Sequence, residues 1–439
     1  MAQLFVAHRV GGWLPQDHSV LRAWLADKIK ALETFDGVFD PVITEFQELI
    51  ENNPEIYQGF HRMFDEVPAK PPYNNDPTGL QPQVRDYMTM LRLFNDVIKK
   101  APEYYVNPDL TKSNGLIGFP INAILDWPMG TTSGFTTFIN PKVNAMFAKM
   151  FRVWTKFLQS PASCNVLVTT EPYGWFSQAA VTQMELGKPF DQVFVTKSPN
   201  PDEHYGYESW DDFFTRQFLP GERPLPPQVL RSSQSDALIT SACESGVLRI
   251  RHDVNARDQF WLKGQPYSLY HMLNDDPFAE QFVGGTVYQA FLSAMNYHRW
   301  HSPVNGQIEK IVLVPGTYYA EAPFEGFENP DGGPDPAAPD LSQAFITAVA
   351  ARALVFIRAN DPKIGLMCFI AVGMSEVSSC DVTVREGNVV KQGDQLGMFH
   401  FGGSTHCLVF RKDTNVIFED FVKMKDAKVK LNELIAHVE

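Results

Sequence analysis

The amino-acid sequence predicts an α+β protein, with a mainly helical N-terminal region followed by an antiparallel β domain. Apolar residues recur at helical spacing through the first part of the chain. Beyond residue 200, short β-branched runs bounded by glycine and proline replace that period. A polar, proline-containing stretch, 197–204, separates the two patterns. We therefore expect a helical domain over 1–200 and a second domain over 201–439.

The N-terminal helices are predicted from their apolar period and their end signals. In one of them, Val42, Phe46 and Leu49 share a face. Asp40 is its expected N-cap, because Pro41 suits the first helical position. A stretch rich in proline, 68–82, is predicted to be a loop. The predicted helices span 17–33, 41–51, 87–100, 143–158 and 175–186.

The second domain is predicted to consist of short strands with a few helices. An acidic segment rich in proline and glycine, 323–339, reads as a surface loop, and the charged tail from residue 423 reads as helical. The predicted strands span 237–240, 246–252, 307–314, 353–358, 365–372, 380–385, 389–401 and 407–411.

Two segments of this domain, 303–308 and 384–397, each place glycines at hairpin turns. They resemble the two halves of a barrel-sandwich of the biotinyl and lipoyl type. That resemblance alone favours a carrier or binding module. The lysine-bearing hairpin of carrier domains is missing from the sequence.

Composition excludes several classes of function. The net charge of −14 and the pI of about 5.3 argue against nucleic acid and against electrostatic docking on anionic lipid. The most apolar stretch, 116–127, is interrupted by Gly118, Pro120 and Asn122, so we expect no stable membrane anchor. The five cysteines form no CxxC pair, and no signal peptide is visible. These features predict a cytoplasmic protein with reduced thiols and no metal site.

Gly402, Gly403, Ser404 and Thr405 form an unusual cluster after the predicted strand 389–401. Glycine lacks a Cβ, so the backbone before Ser404 can strain and other groups can approach it closely. Taken alone, the cluster is typical of a turn between two strands. The alternative is that Ser404 is a nucleophile directed at its own peptide bond.

His298 and His301 stand three residues apart, just before Pro303. On a helix this spacing would place both rings on one face, and the proline suggests a helix-to-strand junction. Two imidazoles without a third ligand motif make a metal site the weakest interpretation. The other two are ordinary hydrogen-bonded histidines and acid–base chemistry.

Glu244 lies between small residues, directly after the predicted strand 237–240. A carboxylate at such a position is able to orient an imidazole. A solvated glutamate at a strand end is the commoner case, so this signal is weak alone.

Together these segments resemble the phosphatidylserine decarboxylases. Residues 212–224, Asp-Phe-Phe-Thr-Arg-Gln-Phe-Leu-Pro-Gly-Glu-Arg-Pro, are similar to a segment of that family. Residues 297–306, Tyr-His-Arg-Trp-His-Ser-Pro-Val-Asn-Gly, match its Tyr-His-Arg-x-His-x-Pro-x-Asx-Gly motif. Residues 402–405 stand at its Gly-Ser processing site. The resemblance covers 205–439 and rests on the order and spacing of three motifs.

The resemblance implies self-cleavage and a covalent pyruvoyl cofactor. His301, oriented by Glu244, is expected to take the proton of Ser404, whose oxygen attacks the Gly403 carbonyl. Elimination and hydrolysis then leave chains 1–403 and 404–439, the second capped by a pyruvoyl group. This group forms a Schiff base with the substrate amine, and His298 is the expected proton donor after CO₂ departs. Glu244 stands where the family has Asp, and Asp236 is a less favoured substitute.

The layout is similar to a soluble fungal branch of the family, whose members decarboxylate free aromatic amino acids. The expected partner is therefore a small-molecule amino acid substrate. L-Tryptophan, which would be converted to tryptamine, is the favoured one. Two alternatives stay open, namely a decarboxylase of phosphatidylserine and a non-catalytic barrel-sandwich module. The resemblance also leaves a homo-oligomer open.

Overall fold

A computed structural model describes most of the chain and divides it into two compact units. The first unit consists of 1–191, 196–213 and 317–342, and the second of 192–195, 214–316 and 343–439. The predicted loops 68–82 and 323–339 lie outside the described residues, as do Gly402 and Gly403. The described residues are 18–35, 37–67, 84–106, 117–170, 173–231, 235–258, 267–322, 342–377, 379–401, 404–424 and 427–439.

Helices make up the regular structure of the first unit, as the apolar period predicts. Asp40 caps its helix, because its side chain accepts a hydrogen bond from the Val42 amide at 3.0 Å. Val42, Phe46 and Ile50 of the predicted face are buried, whereas Leu49 is only half-buried. The helices of the unit are α1 (His18–Ala31), α2 (Pro41–Glu51), α3 (Pro54–Asp65), α4 (Tyr87–Val97), α5 (Pro120–Met129), α6 (Thr132–Phe138), α7 (Pro141–Leu158) and α8 (Gln178–Gln183).

The helix α9 (Trp210–Phe214) spans the end of one segment of the first unit, and the described residues of the second unit contain three further helices. These three are α10 (Pro227–Arg231), α11 (Leu269–Met272) and α12 (Gln343–Val349). The α+β class predicted from the sequence is confirmed, since the second unit is otherwise built from antiparallel strands.

The second unit contains one large sheet and two small ones. The large sheet has the strand order β13-β2-β3-β11-β7-β6-β5-β9, and the small sheets have the orders β1-β14-β12 and β4-β10-β8. The strands are β1 (Leu238–Thr240), β2 (Ser245–Arg251), β3 (Thr286–Leu292), β4 (Arg299–His301), β5 (Gly306–Val314), β6 (Arg352–Ala359), β7 (Leu366–Gly373), β8 (Ser379–Val382), β9 (Val389–Val390), β10 (Gln395–His400), β11 (Ser404–Phe410), β12 (Val416–Phe418), β13 (Lys428–Val429) and β14 (Leu434–Val438).

Strand β11 lies inside the large sheet and pairs with β3 and β7 along its whole length. All seven of its residues are buried. Successive side chains of a strand point to opposite faces, so Thr405 and Cys407 share one face while Ser404 and His406 share the other. On the first face Gln289 donates to the Thr405 hydroxyl at 3.1 Å.

The other face of the large sheet is covered by side chains of the small sheets. The ring of Trp300, from β4, stacks on Phe369 of β7 with centroids 5.3 Å apart. Phe418, from β12, stacks on Tyr288 of β3 at 5.8 Å. Ser404 and His406 therefore point into the layer between the large sheet and the small ones.

Two predictions of local structure are wrong. The tail predicted as helical contains β13 and β14, because Leu434–Val438 forms the middle strand of a small sheet. His298 and His301 do not share a helix face. His298 precedes β4 and lies in no helix, whereas His301 is the last residue of that strand.

The two glycine-bearing segments, 303–308 and 384–397, lie side by side. Gly306 and Gln307 of β5 pair with Val390 and Val389 of β9.

Among the described residues, no helix is both long and apolar enough to span a membrane.

Candidate active site

Ser404 is the first residue of β11 and is held between two strands. It lies opposite Leu292 of β3 and Gly373 of β7. Its side chain is fully buried, and its Oγ makes no hydrogen bond to any described residue. A buried hydroxyl without a partner costs free energy, so such groups point to a strained or functional site.

His298 is the residue just before β4 in the sequence and is fully buried. Its imidazole stacks on Phe214 with ring centroids 4.0 Å apart. Neither ring nitrogen makes a hydrogen bond to the part of the chain that the structure describes. Burial and then the positive charge of Arg216 hold the pKa of His298 well below its usual value, against the opposing effect of nearby carbonyls. The imidazole is therefore neutral at physiological pH.

The position of His298 is set by backbone contacts on both sides of it. Its carbonyl accepts a hydrogen bond from the Phe399 amide at 2.9 Å, at the end of β10. Arg216 donates to the carbonyls of Met295 and Asn296, at 2.8 and 3.0 Å. These bonds fix the turn that carries His298 close to the chain leading towards residue 404.

The imidazole of His301 is held by two hydrogen bonds. Its Nδ1 lies 2.7 Å from the Gly393 carbonyl, and its Nε2 lies 3.1 Å from the Tyr297 hydroxyl. A carbonyl only accepts, so Nδ1 carries the hydrogen and Nε2 accepts from Tyr297. Burial lowers the pKa of His301, which the Gly393 carbonyl partly opposes. This histidine is a neutral imidazole with a basic Nε2.

Glu244 and the His301 ring make their hydrogen bonds to different partners, so no direct bond between them orients His301 in this structure. The carboxylate of Glu244 accepts hydrogen bonds from Arg223 and, at 2.7 Å, from the Leu431 amide. The link to His301 is by backbone instead, since the His301 amide donates to the Ala242 carbonyl at 2.9 Å. The Asp236 carboxylate accepts a hydrogen bond from the Asn305 side-chain Nδ2 at 2.7 Å.

A stack of flat side chains joins Glu244 to His301 indirectly. The guanidinium of Arg223 lies over the Phe218 ring at 4.3 Å from its centroid. Phe218 stacks on Tyr297, also with centroids 4.3 Å apart, and Tyr297 bonds to His301. The sequence motifs contain these residues, but their spacing does not reveal that they stack.

His406 is a residue of this region that the sequence analysis missed. Its ring is fully buried, and neither nitrogen makes a hydrogen bond within the described structure. Burial lowers its pKa to about 3, against the opposing effect of the Ala290 carbonyl. The signal was present in the sequence, since a histidine interrupts an apolar strand two residues after Ser404.

The structure thus brings some of the predicted residues together and leaves others apart. The ring centroid of Phe214 lies 4.0 Å from that of His298 and 6.1 Å from that of Phe401, which stands three residues before Ser404. Neither His298 nor His301 hydrogen-bonds to Ser404. Among the described residues, no three His, Cys, Asp or Glu side chains are grouped to hold a metal ion.

Comparison with family models gives two matches to phosphatidylserine decarboxylase. One covers residues 40–184 and the other covers residues 210–437. The second match contains Ser404, His298, His301 and Glu244. It covers more than half of the chain.

Curated fungal decarboxylases are similar over most of the chain. An L-tryptophan decarboxylase of Psilocybe cyanescens is 38% identical, over 98% of this chain and 95% of its own length. An L-tryptophan decarboxylase of Psilocybe cubensis is 39% identical, over 91% and 87%. The decarboxylase iboD of Amanita muscaria is 43% identical, over 79% of this chain and 99% of its own length.

Proposed function

We propose that this chain, which belongs to the phosphatidylserine decarboxylase family, is a self-cleaving carboxy-lyase acting on a free aromatic L-amino acid. L-Tryptophan is the substrate of choice, with tryptamine and CO₂ as products. This choice rests on the two Psilocybe relatives, which are L-tryptophan decarboxylases and align with 98% and 91% of this chain.

The observation that carries the proposal is the state of Ser404. Its hydroxyl is buried at the start of a central strand without a hydrogen-bond partner among the described residues, directly after two glycines. A serine that served only as a strand residue would gain stability from a partner or from replacement by alanine. Ser404 is instead available as a nucleophile towards the carbonyl of Gly403.

Self-cleavage then follows in three steps, namely ester formation, elimination and hydrolysis. The Ser404 oxygen attacks the Gly403 carbonyl carbon and the peptide C–N bond breaks, which gives an ester and a free amine on residue 404. Loss of the α-proton of residue 404 and of the Gly403 carboxylate leaves a dehydroalanine. Its hydrolysis releases ammonia and leaves a pyruvoyl group on chain 404–439, while chain 1–403 ends at Gly403.

His301 is the proposed base for the first step. Its Nδ1 is fixed on the Gly393 carbonyl, so the lone pair of Nε2 is the basic site. Tyr297 bonds to that nitrogen and is the group that a serine hydroxyl has to replace. Glu244 acts on this site only through the Arg223, Phe218 and Tyr297 stack and through the segment that carries Ala242.

The residues around position 404 fit a pyruvoyl cofactor. A pyruvoyl ketone at this position would supply the electron withdrawal that stabilises the charge left when CO₂ departs. The surroundings are buried and apolar, which strengthens such electrostatic effects. His298, kept in the same part of the unit by Phe214 and Phe399, is the proposed holder of the proton that replaces CO₂.

Mass measurement and an activity assay test the proposal together. The purified protein should separate on a denaturing gel into a large fragment ending at Gly403 and a small fragment of residues 404–439. The small fragment should lack a free N-terminal amine. The cleaved protein, with both fragments together, should release CO₂ from L-tryptophan, and not from phosphatidylserine in vesicles. An uncut chain, or activity on the phospholipid alone, would contradict the proposal.

The non-catalytic alternative rests on the pairing of 303–308 with 384–397. Strands β5 and β9 pair there, and Ser302 exchanges backbone hydrogen bonds with Gly393 and Asp394 at 2.9 and 2.7 Å. We interpret this pairing as a barrel-sandwich-like part of the catalytic unit, not as a separate carrier. The same gel decides between them, because a binding module has no reason to split.

The proposed setting is the cytoplasm, with residues 1–200 as a helical domain and 201–439 as the catalytic domain. All five cysteines are free thiols and four of them are buried, which suits a reducing compartment. The two family matches fall on either side of residue 200, which supports this division.

A further inference from the structure

His406 has the features of a binding group without a ligand. It is fully buried, and neither nitrogen makes a hydrogen bond to a described residue. Leaving an imidazole unpaired in a protein interior costs free energy that a leucine of similar size would not cost. A ligand group that hydrogen-bonds to one of these nitrogens explains why a histidine stands here.

The position of His406 relates it directly to the cleavage site. Ser404 and His406 are alternate residues of β11, so their side chains project from the same face about 6.6 Å apart. That spacing resembles the reach from the amino nitrogen of an aromatic amino acid to the far side of its ring. A substrate held at residue 404 is therefore within reach of the His406 ring.

The residues opposite His406 are small, whereas Ser404 also lies opposite the larger Leu292 of β3. Across β7, Ser404 lies opposite Gly373 and His406 lies opposite Ala371. Across β3, His406 lies opposite Ala290. No long side chain therefore projects from the two positions directly beside the His406 ring.

Aromatic rings flank His406 at the next positions along these strands. Tyr288 lies at 5.8 Å and Phe369 at 5.9 Å between ring centroids. Trp300 stacks on Phe369 at 5.3 Å and extends the aromatic wall. Aromatic walls with a small number of polar groups, here the His406 imidazole and the Tyr288 hydroxyl, are the usual form of a site for an aromatic ring.

We propose that His406 determines substrate specificity by accepting a hydrogen bond from the ring N–H of an indole side chain held at residue 404. This inference rests on the proposed function and adds to it the group that recognises the substrate ring. An indole N–H only donates, and a neutral imidazole offers one acceptor nitrogen. Burial keeps the imidazole neutral, so the acceptor is present over the whole working pH range.

The test compares L-tryptophan with 3-benzothienyl-L-alanine, in which sulfur replaces the ring N–H with little change of shape. Wild-type protein should prefer L-tryptophan in kcat/KM by about tenfold or more, because the analogue leaves His406 unpaired. His406→Leu should lose most of this preference, with the larger loss on L-tryptophan. His406→Gln keeps an acceptor and should retain part of it.

The controls separate this inference from the proposed function. A denaturing gel shows which samples have cleaved, and only cleaved samples are assayed. If wild-type protein handles both amino acids equally, or if His406→Leu lowers both rates by the same factor, the role of His406 is wrong while the decarboxylase stands. If wild-type protein acts on neither, the proposed function itself fails. Equal kcat/KM values of the wild-type protein for the two amino acids would overturn the role of His406 even if both variants fail to fold.

Discussion

Arg223 binds the carboxylate of Glu244 with two nitrogens, since its Nε lies 3.0 and 3.1 Å from the two oxygens and its Nη2 lies 2.5 Å from one of them. Both side chains are mostly buried, with exposed fractions of 14% and 16%. The pair closes the stack that ends at the imidazole of His301. Glu244 thus binds Arg223, the first member of this stack, and makes no hydrogen bond to the imidazole.

This arrangement makes a prediction about stability. Glu244→Ala leaves the Arg223 charge buried and unpaired and should lower the free energy of unfolding by about 3 kcal/mol. The double variant Arg223→Ala, Glu244→Ala should lose less than the sum of the single changes, because the two groups interact. Urea unfolding measures all three. Additive losses would show that the pair is not coupled.

Removal of the Ser404 hydroxyl should abolish cleavage without loss of stability. Ser404→Ala should stay a single chain on a denaturing gel, because no nucleophile remains. Its unfolding free energy should stay within about 1 kcal/mol of a freshly purified uncut sample, since the Oγ makes no hydrogen bond to a described residue.

Ser163 is a matched control for that substitution. It is equally buried, but its hydroxyl donates to the Leu158 carbonyl at 2.9 Å and accepts from the Trp210 amide at 2.8 Å. Ser163→Ala should therefore cleave normally and lose about 1–2 kcal/mol of stability. Cleavage of Ser404→Ala would show that another residue is the nucleophile.

Substitution of His301 and of His298 should have different effects on the rate of cleavage. His301→Ala removes the proposed base, and cleavage should slow by about a hundredfold or more. His298→Ala should cleave, and the cleaved protein should decarboxylate poorly, because its proton donor is gone. Pulse labelling followed by gels gives the cleavage rates, and CO₂ release gives the second activity. Equal effects of both variants on cleavage would contradict this division of roles.

Buried histidines should make the precursor sensitive to acid. The pKa of His406 is lowered from 6.5 to about 3, so the unfolded chain binds a proton that the folded chain does not. Stability from this group is complete above pH 6.5 and falls by up to about 1.4 kcal/mol for each pH unit below it, until pH 3 is reached.

Melting curves of the Ser404→Ala precursor at pH 7 and pH 5 check this dependence without interference from cleavage. His406→Leu in that background should reduce the loss of stability between the two pH values. His298 and His301 have lowered pKa values as well, so a smaller acid sensitivity should remain. An unchanged acid sensitivity in the His406→Leu background would mean that His406 is not neutral in the folded chain.

Local signals in the sequence were sufficient for much of the first unit. The period of Val42 and Phe46 and the cap Asp40 act within a few residues, so they can be read from the sequence alone. The tail after residue 423 misled the same reasoning. Its charged residues suit an exposed helix, but pairing of β14 with β1 and β12 decides its structure.

The sequence by itself determined the family motifs, the α+β class and the candidates Ser404, His298, His301 and Glu244, because these depend on residue types in a fixed order. Tertiary structure alone decided what each group touches. In the folded chain Glu244 binds Arg223, and His301 is hydrogen-bonded to Gly393 and Tyr297. His406 lies on the same face of strand β11 as Ser404. The physical reason is that such contacts join residues far apart in the chain, and the pairing of strands, not local propensity, sets them.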